Sequence, residues 1–170
     1  MQPGDPDPSR YTGAMRVLGI DLGSKRIGLA ISDELGAIAF PAGVLECRGR
    51  RRDIAALRTL IEDRGIARAV VGLPIHMDGR RGPEAEKALA FAQALHASAG
   101  IPVDTLDERW TSQEAERLMQ GTGKRRRRAQ RQQGVIDELA ASILLRTYLA
   151  RLEHGMPGPD ACAQAGTERG

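Results

Sequence analysis

Aromatic side chains are scarce in this 170-residue chain: two phenylalanines, two tyrosines and one tryptophan make up 3% of it. A surface that reads unpaired bases by stacking has little to build with, so any nucleic-acid contacts are expected at backbone phosphates. Cysteine is also rare. Cys47 and Cys162 stand far apart, which argues against a disulfide framework or a cysteine zinc site. No run of eighteen apolar residues occurs, and the opening "MQPGDPDPSRYTGAM" is polar and rich in proline. Neither a membrane span nor a secretory signal is visible, and the expectation is a cytoplasmic protein.

What the chain does have is enough apolar material, 41%, for one proper core at this length. Its formal charge of +3 is unevenly spread. "KRRRRAQR", Lys124 to Arg131, carries six cations in eight residues, and "RGRRRD" and "GRRG" add smaller clusters. Each block could be a solvated surface loop. Three of them in one small domain favour a polyanionic partner.

Residues 1–14 and 153–170 read as disordered tails around a single domain at 15–152, with Met15 at the edge of the fold. The spacing predicts a β-hairpin over "RVLGIDLGSKRIGLAISD", then an edge strand from Ile38 to Cys47 containing Pro41. A helix ending at Gly65 follows, then a buried central strand, "ARAVVGLP". A helix from Pro83 to Ala99 and a last strand, "IPVDTLD", come next. Thr111 and Glu114 form a capping box for one more helix. The strongest helical stripe is Ile136, Leu139, Ala140, Ile143, Leu144 and Tyr148. The expected class is α/β: a mixed sheet with three antiparallel strands, then parallel strands, flanked by helices.

In the hairpin, Leu18, Ile20 and Leu22 alternate with Gly19, Asp21 and Gly23, and the second strand repeats the pattern with Gly28, Ala30 and Ser32. One face is apolar and the other nearly bare. A carboxylate buried without a partner is costly, so the bare face is expected to meet water, a cation or a ligand. Glu108 at the end of the last strand and Asp137 in the first turn of the last helix are two further acids at element ends, where ligand sites collect in open α/β sheets. Three convergent carboxylates would suit Mg2+ or Mn2+ and two-metal phosphodiester hydrolysis. Each acid also has an ordinary reading. Glu108 could pair with Arg109 on the surface, and Asp137 could complement the helix dipole. Asp33, Glu34, Asp104, Asp107 and Glu138 are rival carboxylates that spacing does not eliminate. His76 reads as a loop histidine and Trp110 as a packing residue.

Four motifs in order, "GIDLGSKRIGLAISD", "VVGLPIHMDGRRG", "DERWTSQEAE" and "IDELAASILLRTYL", resemble the YqgF/RuvX family, ribonuclease H-like nucleases related to the RuvC resolvase. The resemblance covers about Arg16 to Leu152. It implies a metal-dependent nuclease with Asp21, Glu108 and Asp137 as catalytic metal ligands, acting in 5′-end maturation of the small-subunit ribosomal RNA precursor, or on Holliday junctions. Relatives often carry a lysine just before the last motif. Here Gln133 and Gly134 stand there, and the basic charge lies upstream.

Nucleic acid is therefore the expected partner, met by a monomer or homodimer. Arg109 and the loop residues Lys124, Arg125, Arg126, Arg127, Arg128 and Arg131 are expected to hold phosphates. Arg80 and Arg81 are expected to add contacts from a substrate-facing loop, and Lys25 and Arg26 from the hairpin turn. Two rival classes fit less well. Sugar kinases, actin and heat-shock ATPases share the Asp-x-Gly hairpin but need two such domains. A noncatalytic RNA-binding assembly factor would have no need to keep three acids.

Overall fold

The structure, a computed structural model, describes residues 15–109 and 133–154. Five strands form one mixed sheet: β1 (Arg16–Leu22), β2 (Arg26–Ser32), β3 (Ala39–Glu46), β4 (Ile66–Leu73) and β5 (Val103–Asp107), in the order β3-β2-β1-β4-β5. The first three pair antiparallel, and β4 and β5 run parallel to β1. Helices α1 (Arg50–Arg64), α2 (Pro83–Ala99) and α3 (Gln133–Glu153) complete the described fold. None is long and apolar enough to cross a membrane.

Local chemistry accounts for the element ends. Gly65 and Gly100 end α1 and α2 in the left-handed conformation that a side chain disfavours, and Pro83 opens α2 where no backbone donor is needed. Pro41 sits in β3, an edge strand, beside an irregularity in its pairing with β2. Across the sheet, Leu18, Ile20 and Leu29 pack with Ile54, Leu57, Phe91 and Leu95 of α1 and α2. On the opposite face, Val17, Ala30, Val70 and Leu106 pack with Leu144, Leu145 and Tyr148 of α3.

That second core corrects one expectation. The bare face of the hairpin is the seat of α3 at Gly19, Gly28 and Ala30, while Asp21 on the same face is left lining a cavity. A Cβ on Gly19 would lie 2.9 Å from Cβ of Leu145, and one on Gly28 would collide with the Asp137 backbone, 2.6 Å from its carbonyl carbon. Glycine there admits a helix at close range, and burial of α3 follows. The buried stripe on α3 keeps Ile143, Leu144 and Tyr148 of the expected one but is wider and shifted. Ala141, Leu145 and Leu149 are buried, whereas Leu139 is 41% exposed. Asp104 accepts hydrogen bonds from the Tyr148 hydroxyl and from Arg68, and so ties α3 to β4 and β5. Burial and the neighbouring carboxylate together raise the Tyr148 pKa above its ordinary value.

The capping box at Thr111 and Glu114, Trp110, the basic run from Lys124 to Arg131, residues 1–14 and residues 155–170 lie outside the described residues, whereas Glu153, expected in the tail, closes α3.

Candidate active site

Asp21 is the sixth residue of β1, near the end where that strand leaves the sheet. Parallel pairing places the end of β4 beside the end of β5: Gly72 opposes Leu106 and Leu73 opposes Asp107, so Glu108 emerges at the same edge as Asp21. A Cβ on Gly72 would lie 2.6 Å from Oε1 of Glu108. The missing side chain at that position is the space in which the Glu108 carboxyl rests.

Asp21 and Glu108 hydrogen-bond to each other through their side chains, which requires a proton between two carboxyl groups. Burial, the charge of Asp21 and that shared hydrogen bond push Glu108 up to about 7. The Asp21 pKa is also raised, chiefly by burial and further by the charge of Asp137, while its bond to Glu108 opposes the rise. Asp137 reaches this site from α3, whose backbone at that residue lies against Gly28. It occupies the second turn, because α3 begins at Gln133. The expected first-turn position is thereby corrected, and with it the reading of Asp137 as a dipole complement, which fades beyond the first turn. Among the described residues no group of three or more His, Cys, Asp or Glu side chains is arranged as it stands to hold an ion. Two of the predicted acids touch, and the third acts on Asp21 through its charge.

Most rival carboxylates have other work. Asp107, not Glu108, takes the Arg109 guanidinium: Nη2 and Nε lie 2.6 Å and 2.9 Å from its Oδ2, and the Arg109 backbone donates to its Oδ1. Glu108 is thus released from the surface pair that its neighbour suggested. Asp33 accepts the Ala37 and Ile38 backbone N–H groups, and its pKa is lowered by them. Glu34 pairs with Arg16 at 2.7 Å.

The expected phosphate contacts divide. Lys25 and Arg26 stand at the hairpin turn, closed by the Gly23 N–H donating to the Arg26 carbonyl at 2.8 Å. Arg80 and Arg81 are exposed on the loop after β4, although Arg80 is paired with Asp78. Arg109 spends its fork on Asp107.

A cavity of about 480 Å³ opens from Asp21 and Glu108 toward α1 and α2, where Arg50, Asp53, Lys87 and Phe91 line it. Arg50 and Asp53 fall in the "RGRRRD" cluster noted in the sequence, and Lys87 and Phe91 were not singled out. Gly72 was the available signal, an isolated glycine inside an apolar strand, which marks a close approach.

A family model described as "RuvX: Holliday junction resolvase" matches residues 15–151. Curated relatives that carry the name "Putative pre-16S rRNA nuclease" include one from Moorella thermoacetica, 45% identical over 139 residues, covering 81% of this chain and 96% of its own. Another, from Anaeromyxobacter dehalogenans, is 43% identical over 137 residues (81% and 98%). A third, from Desulforudis audaxviator, is 39% identical over 143 residues (83% and 98%). Among solved structures, T. thermophilus RuvC in complex with a Holliday junction substrate is similar with a TM-score of 0.55 at 16% identity, covering 85% of this chain and 99% of that one. The fowlpox virus resolvase with Holliday junction DNA gives 0.52 at 11% identity (81% and 99%). At such identities the likeness is one of fold.

Proposed function

Because the chain belongs to the RuvX family, we propose that it is a divalent-cation-dependent nuclease that hydrolyses phosphodiester bonds in 5′-end maturation of pre-16S rRNA. One observation carries the reading: two half-buried carboxyl groups, Asp21 and Glu108, hydrogen-bonded to each other through a shared proton, with the charge of Asp137 bearing on Asp21. Such an arrangement resists ionisation when alone. Replacing the proton by Mg2+ or Mn2+ relieves the repulsion, and the all-oxygen donor set suits those ions. Perturbed acids at the mouth of a cavity are the signature of a working site more often than of a structural one.

Asp21 and Glu108 would hold the cation, with Asp137 completing the set from the α3 side. When bound, the cation would activate water and neutralise charge on the phosphate. The protein's own part is positional. Gly72 leaves room for the Glu108 carboxyl, and Asp107 holds Arg109 beside it, a cation at the rim of an otherwise acidic site. Lys25, Arg26, Arg80, Arg81 and the Lys124 to Arg131 run would gather the phosphate backbone. In this reading the protein works in the cytoplasm, where ribosomal RNA precursors are made.

A second reading, cleavage of branched DNA, is supported by the description of the matching family. It calls for a symmetric dimer that cuts two strands. The test challenges purified protein with precursor rRNA, linear DNA and a four-way junction, each with Mg2+ or Mn2+, and with Asp21→Asn as control. Cleavage of the RNA, lost at least 100-fold in Asp21→Asn with an unchanged circular dichroism spectrum, is the expected result. Undiminished cleavage by that variant would remove the proposed site.

A further inference from the structure

The loop joining β4 to α2, residues 74–82, is built to hold one shape. Ile75 and Arg81 form a bridge, and the backbone N–H of His76 donates to the Arg80 carbonyl at 3.0 Å. The Gly79 N–H donates to the His76 carbonyl at 2.8 Å, with Gly79 at φ +87°, a conformation that favours glycine. Asp78 closes the tip by accepting from the backbone and side chain of Arg80. The His76 ring rests on Gly82, where a Cβ would lie 2.7 Å from Nε2.

This ordered tip presents Met77 to solvent. Met77 is 91% exposed, more than any other large apolar side chain among the described residues. Scattered exposed apolar residues on a surface need no explanation. This one differs because a hydrogen-bonded loop that also carries exposed Arg80 and Arg81 holds it out at the same sheet edge as Glu108. A Cβ on Gly79 would lie 3.9 Å from the Arg109 guanidinium, which sets the loop beside the residue next to Glu108.

Resting on the nuclease reading above, we infer that Met77 is a wedge: its thioether packs against a base at the edge of a broken stack while Arg80 and Arg81 meet the flanking phosphates. Methionine is among the apolar side chains that enter base steps, and its polarisable sulfur suits the face of a π system. No Phe, Tyr or Trp occurs between Pro74 and Gly82, and the His76 ring rests on Gly82, so Met77 is the loop's one large apolar contact near its tip. The favoured substrate is nucleic acid at a boundary between paired and unpaired segments, where the cost of unstacking is already met.

The experiment uses the full chain in the Asp21→Asn background with Mg2+, so that nothing is cut. Two probes carry 2-aminopurine at the boundary base: an RNA duplex with a 5′ single-stranded extension, and a four-way DNA junction. Anisotropy reads binding and 2-aminopurine fluorescence reads unstacking. The parent protein is expected to raise fluorescence at least twofold on one probe, and the probe that responds distinguishes RNA from branched DNA as the source of the base. Added Met77→Ser should abolish the rise while changing affinity less than threefold, and Met77→Leu should keep it. Added Gly82→Ala displaces His76 and should lower the rise with Met77 still present. Binding without a rise in the parent, or an equal rise in Met77→Ser, overturns the wedge and leaves the nuclease reading standing. Absence of binding to both probes would remove the nucleic-acid reading and the wedge together.

Discussion

A single proton decides the behaviour of the Asp21–Glu108 pair. In the unfolded chain Glu108 titrates near the ordinary value of 4.5, and in the folded protein near 7. Between those values the native state binds more protons, so this group's contribution to stability falls as pH rises across that window and stays low above it. Glu108→Gln, neutral at every pH, should therefore be more stable than the parent at pH 8 in chelator, by about 1 kcal/mol or roughly 2–4 °C in Tm for a chain of this length. Near pH 5 the two should melt together. A Glu108→Gln variant that melts below the parent at pH 8 and not at pH 5 would contradict the shared proton. By the same linkage, cation affinity measured by calorimetry should weaken as pH drops below about 7, because the ion must displace that proton. The choice of Glu108 over Asp107 was open in the sequence, where the two acids are adjacent beside Arg109. Geometry separates them: the Arg109 fork turns back onto Asp107.

The elements meet through glycine. Gly28 and Gly72 both border the candidate site, but they touch different things, and alanine at each should fail differently. At Gly28 the added methyl meets the Asp137 backbone, and a helix must move to make room. Gly28→Ala should cost about 1–3 kcal/mol of stability, as overpacked cores do, and should reduce cation affinity by displacing Asp137. At Gly72 the methyl meets the Glu108 side chain, most closely its carboxyl oxygen, and that side chain can rotate away. Gly72→Ala should weaken cation binding with a smaller loss in denaturant midpoint. Equal destabilisation by the two variants would refute this distinction. The alternating hairpin pattern was legible because period two is a property of any strand. The occupant of its bare face was not, because small side chains suit a ligand, water or a close helix equally, and only the rest of the chain decides between them.

At the scale of the molecule, two helices cover one face of the sheet and α3 covers the other, and the candidate site opens at the edge where β1, β4 and β5 end. The acids there need cations around them to draw in a polyanion. In the proposed reading the Arg125 to Arg128 run supplies most of that attraction. Replacing those four arginines by alanine should flatten the slope of log affinity against log salt by about one for every phosphate that is no longer neutralised. An unchanged slope would take the run out of the nucleic-acid interface.

Much of this protein was determined by its sequence alone. Hydrophobic period, capping glycines and Pro83 set the types and order of the described elements, because these act through neighbours within a few residues. The carboxylates, too, were visible as acids at element ends. Only tertiary structure decided which of them meet, what Arg109 holds, and that α3 lies on the glycines of the hairpin. Those are interactions between residues more than a hundred positions apart, such as Asp21 and Asp137. Local periodicity carries no record of so distant a neighbour.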